Sequence, residues 1–550
     1  MYDASEITNK VKSKFDDFTD LHTRMDRDFS TWKLVTSDYD IKIDNKTKKH
    51  GSNINIISND PRTNCDDIHS ILSSSDRQIS VRMAEEGEDK RSDIGKLERL
   101  FEFLLQKGDE RLVRLLLPPL KESLIWFSLV RGWAAGRFLT YMKDGNIIPD
   151  YMALDPRWLV YSVGAEGLAW TGYKTFRSKD ELESDYEKVI KTPWHMPWET
   201  EKNIEVIDYW KRLGKGKVGN CVVSSGQFLK ETEIYDMTSM PILIMPVTTR
   251  PPVAGVDGTN ELEGYGESTF ASYRDINGVR NRFLSMVASW ANLKSNQPLL
   301  NYTTSKGREI PASAVFNVPG EVIELEMGEQ KLEASPMQEI PSTVIGMLDF
   351  LNSRVERGML PDVSMGSPPP SGTLYNLVQE RGNKIFNPQL RNLDYFYADI
   401  CRLIEEQIIS DKLKIKVKTE EKRKYYEFQV TPIDLKKPHI IKVEHTARTP
   451  WTQLDTAQQA QMLKQLGLPD GWIWENILKV QDPKLLADLA AIELFEHSPK
   501  GAMKRAVEAL IETRGDIAAA QSLVEDMDRL QTQEEAVVQP EGGMPPMGGM

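Results

Sequence analysis

The apolar positions open in a helical stripe: Ile7, Val11, Phe15, Phe18, Leu21, Met25, Phe29 and Trp32 recur at steps of three and four with charges between them. The spacing predicts one opening helix of about seven turns, docked on a core of its own chain. Pro61–Leu72 reads as helix, and Ile79, Val81 and Met83 alternate as a short strand over Gln78–Met83. Glu85–Ser92 is a charge run, read as a solvated loop. Helical patterns then cover Ile94–Gln106, Glu110–Leu117 and, past Pro118-Pro119, Leu120–Arg131. Alternating segments follow at Arg137–Lys143, Tyr151–Leu154, Trp158–Ser162, Ala169–Tyr173 and Glu205–Arg212, with turn signals at Asp144-Gly145, Asp155-Pro156 and Gly164–Gly167. Met240–Val247 is a strand of buried type. Helices leading into antiparallel strands make the expected class α+β.

The second half is built on longer helices. Glu267–Ser295 carries Phe270, Tyr273, Ile276, Val279, Phe283, Met286, Trp290 and Leu293 on a narrow seam of the kind that packs in bundles. Ala271, Ser272, Gly278, Ser285, Ala288 and Ser289 are small and admit close neighbours on further sides. Residues 297–339 change to short strand-like pieces around Val315, Val318 and Glu321–Met327. Seven acids there (Glu309, Glu321, Glu324, Glu326, Glu329, Glu333, Glu339) face three bases. Pro341–Leu360 is helical again and is stopped at Gly358 and Pro361. Asp362, Val363, Ser364, Met365, Gly366, Ser367, Pro368, Pro369, Pro370, Ser371 and Gly372 form a stretch that is neither helix nor central strand. Between Gly358 and Gln379 the only formal charge is Asp362, so this loop suits a surface that must not grip what it meets. A second helix runs from Thr373 to about Ser410, expected to kink near Pro388 and softened by Gly382. Strands at Leu413–Val417, Tyr425–Val430 and Ile440–Val443 follow, then helices from Trp451 to Leu530 and a disordered Gly/Pro/Met-rich tail over residues 531–550.

Composition narrows the function. A chain of 550 residues with 40% hydrophobic and 27% charged positions has the balance of a globular protein of several domains. No apolar run reaches membrane-spanning length, no signal-type segment opens the chain, and Cys65, Cys221 and Cys401 suit a fold without disulfides. The net charge of −13 argues against tight DNA binding, which needs clustered Lys and Arg, but a weakly repelling wall lets a polyanion slide past.

Chemistry is scarce. Gly214-Lys215-Gly216-Lys217-Val218-Gly219 matches a dinucleotide-binding spacing, yet Asn220–Ser224 after it has strand character, so it reads as a hairpin turn. No phosphate-binding Gly-Lys-Ser/Thr loop and no His-Glu-x2-His occurs. His439 and His445 lack a third ligand nearby, and Asp66-Asp67 and Glu85-Glu86 lack placed partners. Trp194-His195-Met196-Pro197-Trp198 reads as packing or a subunit contact. The expectation is a protein without enzymatic activity, cofactor or metal.

The order of parts, with Gly264-Tyr265-Gly266-Glu267-Ser268 opening the seam helix, Ser371-Gly372-Thr373 opening the kinked one, and Gly467-Leu468-Pro469 and Asp482-Pro483 in the terminal helices, resembles the portal, or head-to-tail connector, proteins of tailed bacteriophages. The resemblance covers about residues 60–500. It implies a wing over residues 1–263 and 373–450, stem helices over 264–296 and 340–360, and a small clip over 297–339. Residues 361–372 become the tunnel loop and 451–530 a helical crown. It further implies a homo-oligomeric ring, typically a dodecamer, at one capsid vertex of the virion, assembled in the host cytoplasm. Double-stranded DNA would be driven through it by the terminase large subunit, beside major capsid and scaffold proteins, with head-tail adaptor or tail proteins docked below. On this reading Asp362–Pro370 line the DNA channel, Arg274, Arg280 and Arg282 make contacts between subunits, and Glu321, Glu324 and Glu326 dock a basic partner. A ring-forming scaffold without DNA passage and an unrecognised nucleic-acid-processing enzyme are the competing readings.

Overall fold

The opening stripe serves two cores and is therefore split. α1 (Ala4–Asp17) and α2 (Thr19–Lys33) break at Phe18, whose backbone at φ −97° and ψ 7° leaves the helical region, so the single opening helix expected is two. Ile7, Val11, Phe18, Leu21 and Met25 bury with Trp133, Trp170 and Tyr209, whereas Phe29 and Trp32 pack beside Trp126 against the main core. In this computed structural model the described residues are 3–35, 54–83, 91–186, 203–214, 216–247, 251, 253–254, 260–261, 264–295, 299–303, 330–334, 339–359, 372–421, 424–446 and 459–477.

α3 (Asp60–Ser73) and β1 (Asp76–Met83) lead to α4 (Arg91–Arg114), one helix of 24 residues where two were expected. Gly108 does not break it. A Cβ there would lie 2.7 Å from the Tyr151 ring, so the glycine is a contact point between helix and sheet. α5 (Leu120–Arg131) ends at Gly132 in the left-handed region, the usual glycine stop.

The strands are antiparallel throughout the described residues. β2 (Trp133–Lys143), β3 (Asn146–Ala153) and β9 (Ile242–Pro246) make a three-stranded sheet in the order β3-β2-β9. β4 (Leu159–Gly164), β5 (Gly167–Arg177), β6 (Ile204–Gly214), β7 (Lys217–Ser224) and β8 (Gln227–Tyr235) form a five-stranded meander, with the short α6 (Lys179–Tyr186) between β5 and β6. Gly214 and Gly216 (φ +81° and +69°) turn the β6–β7 hairpin, so the nucleotide-like glycine spacing is a turn, as its flanking pattern predicts. A two-residue ribbon, β10 (Val253–Ala254) with β11 (Asn260–Glu261), follows.

α7 (Arg274–Ser295) and α8 (Ser342–Gly358) are joined through the hairpin β12 (Leu299–Thr303) and β13 (Gln330–Ala334). α9 (Gly372–Ser410), 39 residues and about 58 Å at the helical rise, runs through Gly382 and Pro388 with its backbone helical on both sides. β14 (Ile415–Glu421), β15 (Lys424–Val430), the single turn α10 (Pro432–Leu435) and β16 (His439–Thr446) close the first unit. β16 pairs with β1 over eight residues, Asp76 opposite Thr446 and Met83 opposite His439. Both strands are legible in the sequence; their pairing across more than 350 residues is not.

The main core gathers the buried faces of α4 (Leu97, Leu100, Phe101, Leu104), α5 (Leu124, Ile125, Leu129) and the second half of α9 (Leu393, Phe396, Ile400, Ile404, Ile408). Gln407 fixes α9 to the sheet: its Nε2 donates to the Phe138 carbonyl at 2.8 Å and its Oε1 accepts from the Thr140 amide at 2.7 Å. Cys65, Cys221 and Cys401 are buried free thiols, and burial pushes their pKa values up to about 12, 11 and 12.

The chain divides into two units, Met1–Arg448 and Thr449–Met550. In the second, residues 459–465 are helical, Gly467 (φ +84°) makes the turn, and a short helix covers Asp470–Asn476 with Lys464 3.2 Å from Asp470. The remaining helices expected up to Leu530, and the tail, lie outside the described residues.

Candidate functional site

The site is the helix pair α7–α8 and the root from which it grows. The sequence predicts that α7 begins at Glu267; it begins at Arg274, because residues 264–273 are tied to other elements first. Glu267 N donates to Val247 O (3.0 Å), Thr269 N to Leu129 O (3.0 Å), and Trp133 Nε1 to Tyr265 O (2.9 Å). Gly132 and Gly266, both at φ +78°, face each other so closely that a side chain on either would strike the other's backbone. Phe270 and Tyr273, both 0% exposed, seal the root into the main core.

Under this joint lies a network of four arginines and four carboxylates. Asp28, 0% exposed, accepts from Arg274 Nε (2.6 Å), Arg274 Nη2 (2.9 Å) and Ser268 Oγ (2.7 Å). Arg274 Nη2 also reaches Glu267 at 3.0 Å. Burial opposes the charge of Arg274, but the hydrogen bonds and charges of Asp28 and Glu267 outweigh it and hold the guanidinium pKa above its usual value. Arg24 donates to the carbonyls of Gly266 (2.6 Å) and Arg131 (3.2 Å). Arg131 bridges Met25 O (2.8 Å), Asp26 (3.3 Å) and Asp155 (3.0 Å), and Arg157 Nε donates to Asp26 at 2.7 Å. Beside them His22, 3% exposed, is depressed to about 3 by burial and by the charges of Arg157 and Arg131.

Above the root, α7 inverts the expected arrangement. Its buried line is polar: Asn277, Asn281, Ser285 and Ser289, at most 6% exposed, repeat every four residues. Residues 54–58 lie along this line as an extended strap. Ser289 Oγ accepts from the Ile54 amide (2.9 Å) and donates to its carbonyl (3.2 Å); Ser285 Oγ does the same for Ile56 (2.9 and 3.3 Å). Asn281 Oδ1 accepts from the Ser58 amide at 3.2 Å. The match is geometric: four helical residues rise about 6 Å, close to the advance of two extended residues, so every second strap residue meets one side chain of the ladder. Arg280 closes the strap's end on Asp60, which Ser58 and Arg280 hold below the usual carboxylate range against the effect of burial.

The apolar seam is divided: Phe270 and Tyr273 are buried, Ile276, Phe283 and Trp290 are half-buried, and Val279 and Met286 face outward. Val279 is 44% and Met286 49% exposed on α7; Ile345, Met347 and Phe350 are 53%, 41% and 49% exposed on α8. Only Leu351 and Val355 of α8 are buried, near the root, where Ser272 Oγ donates to Gly358 O at 3.3 Å.

Of the three stem arginines expected between subunits, Arg274 and Arg280 are mostly buried and pair with Asp28 and Asp60 of their own chain. Arg282 is exposed and has no partner among the described residues. Pro388 is half-buried inside α9. Asp362–Pro370 and Glu321, Glu324 and Glu326 lie outside the described residues. The polar ladder is not among the features expected from apolar periodicity; its signal is Asn277, Asn281, Ser285 and Ser289 at a constant step of four.

A second concavity, about 790 Å³, opens between the two larger sheets. Several of its polar groups serve one another: Arg137 bridges Asp150 (3.1 Å) and Asp208 (3.1 Å), and Asn220 donates to Asp208 at 2.6 Å. Among the described residues no three His, Cys, Asp or Glu gather as for a metal, and no helix is long and apolar enough to cross a membrane. The chain matches no model of a known protein family, and comparison with curated proteins finds no match.

Proposed function

We propose that this chain is a portal-like ring subunit, many copies of which surround a channel for double-stranded DNA at a capsid vertex. The observation that carries the reading is the helix pair itself. α7 and α8 are rooted in a rigid charged joint, linked by a hairpin, and present Val279, Met286, Ile345, Met347 and Phe350 to solvent. Exposed apolar side chains on both members of a helix pair offer a surface that another chain can cover. Copies of the same chain supply that cover with closed symmetry, and head-to-tail contacts close into a ring.

The remaining parts fit this reading. Residues 361–372, whose one formal charge is Asp362, stand between α8 and α9 in the sequence and are the segment this reading assigns to the channel. The acidic balance of −13 suits a wall that releases DNA at each step. The terminase large subunit would engage the ring during packaging, adaptor or tail proteins would dock on the acidic segment holding Glu321, Glu324 and Glu326, and capsid and scaffold proteins would surround it in the virion. The reading assigns no catalysis and no cofactor to the chain. Negative-stain imaging of the purified chain tests it: the expected result is a ring with a hole wide enough for duplex DNA. A monomer at micromolar concentration would overturn it, and a ring whose centre is closed would favour a scaffold without DNA passage.

A further inference from the structure

We propose that Arg282 on α7 of one copy pairs with Asp349 on α8 of the next, which fixes the register of the copy-to-copy interface. The proposal rests on the ring reading and goes beyond it by naming the contact. Arg282 borders a cleft of about 340 Å³ between α2 and α7, together with Arg27, Ser30, Thr31, Arg274 and Asp275. The other two cations of that cleft are satisfied, Arg27 by Asp275 at 2.7 Å and Arg274 by Asp28. Arg282 is left with a charge, an open cleft beside it, and no partner among the described residues. It stands in one exposed stripe with Val279 and Met286, since steps of three and four return to the same helix face.

Asp349 is the complement. It is exposed on α8 and, among the described residues, has no ion-pair partner, one turn beyond the exposed Ile345. Gly346, three residues before it, has nothing within 4 Å of the place a Cβ would occupy. A glycine inside an exposed helix weakens that helix, and the open space above it admits the close approach of a second one. Each copy thus carries two different surfaces on one helix pair: the stripe of Val279, Arg282 and Met286 on α7, and Asp349 beside Ile345 and Gly346 on α8, neither charge having an ion-pair partner among the described residues. Two unlike, complementary faces are what a closed head-to-tail ring requires, since each copy must use one face toward each neighbour. A charge pair set among apolar contacts selects register more than it adds affinity.

Charge reversal in the full-length chain tests the pairing. R282D and D349R should each lower the fraction of chain in rings by about tenfold or more at equal concentration, corresponding to roughly 1.4 kcal/mol. The double variant R282D/D349R should return it to within about twofold of the parent. Thermal melts of dissociated chain, expected to be unchanged because both side chains are exposed, separate assembly from folding. Neutral variants R282Q and D349N should make ring formation less sensitive to salt than the parent's. Single reversals that assemble like the parent, or a double variant that stays dissociated while its melt is normal, would overturn the pairing and leave the ring reading standing. A parent chain that forms no ring would overturn the ring reading itself.

Discussion

α4 and α7 are helices of nearly equal length, 24 and 22 residues, and they use apolar residues in opposite ways. α4 buries Leu97, Leu100, Phe101, Leu104 and Leu105 and keeps its charged residues half-buried or exposed around them. α7 buries Asn277, Asn281, Ser285 and Ser289 under the strap and leaves Val279 and Met286 half exposed. Both sequences carry a clear apolar stripe. The comparison teaches that such a stripe marks the face that seeks cover, and that the cover need not come from the same chain. On α7 its own chain covers the polar side, where hydroxyl and amide groups pair with a strap backbone that would otherwise be left without partners.

Asp28→Ala attacks the root and should have the largest effect, removing about 3–5 kcal/mol in denaturant unfolding, because it strands the mostly buried Arg274 without its carboxylate. A loss below about 1 kcal/mol would mean that Glu267 alone can satisfy Arg274. The comparison itself is sharpened by a matched pair of truncations. Leu104→Ala on α4 should cost about 2–5 kcal/mol as a core cavity. Met286→Ala on α7 should change the stability of the dissociated chain by less than about 0.5 kcal/mol and yet weaken assembly. Equal costs at the two sites would erase the distinction.

The root also predicts a pH response. His22 is depressed to about 3 from an ordinary 6.5, so the folded chain binds fewer protons than the unfolded one between those values. Stability should be unaffected by His22 above pH 6.5 and fall as pH drops below it, by about 2 kcal/mol at pH 5. The loss should be absent in His22→Phe, measured by melts across that range. The smallest effect is expected on the strap. Ser285→Ala should cost about 1 kcal/mol and speed exchange of the Ile56 amide, leaving the root amides protected.

Much of the fold is legible in the sequence, and the failures have physical causes. The α+β pattern, the β6–β7 turn at Gly214 and Gly216, and the two helices α7 and α8 follow from periodicity and turn chemistry, while the strands expected around Val315, Val318 and Glu321–Met327 lie outside the described residues. The break at Phe18 does not, since the stripe from Ile7 to Trp32 continues across it and only the positions of two separate cores demand it. The split expected between Gln106 and Glu110 does not occur, and Gly108 between them serves as a contact for Tyr151. At the candidate site, Arg274, Arg280 and Arg282 look alike as exposed-face cations. Their different fates depend on Asp28 and Asp60, which lie more than 200 residues away in the chain and are brought to α7 by α2 and the start of α3.

The central claim is that the outward apolar stripe of α7 is covered by another copy, and oxidative footprinting of Met286 measures that cover directly. In assembled full-length protein the Met286 thioether should be protected from oxidation relative to dissociated chain, with a deeply buried methionine such as Met25 slow in both. Equal oxidation of Met286 in assembled and dissociated material would contradict the account.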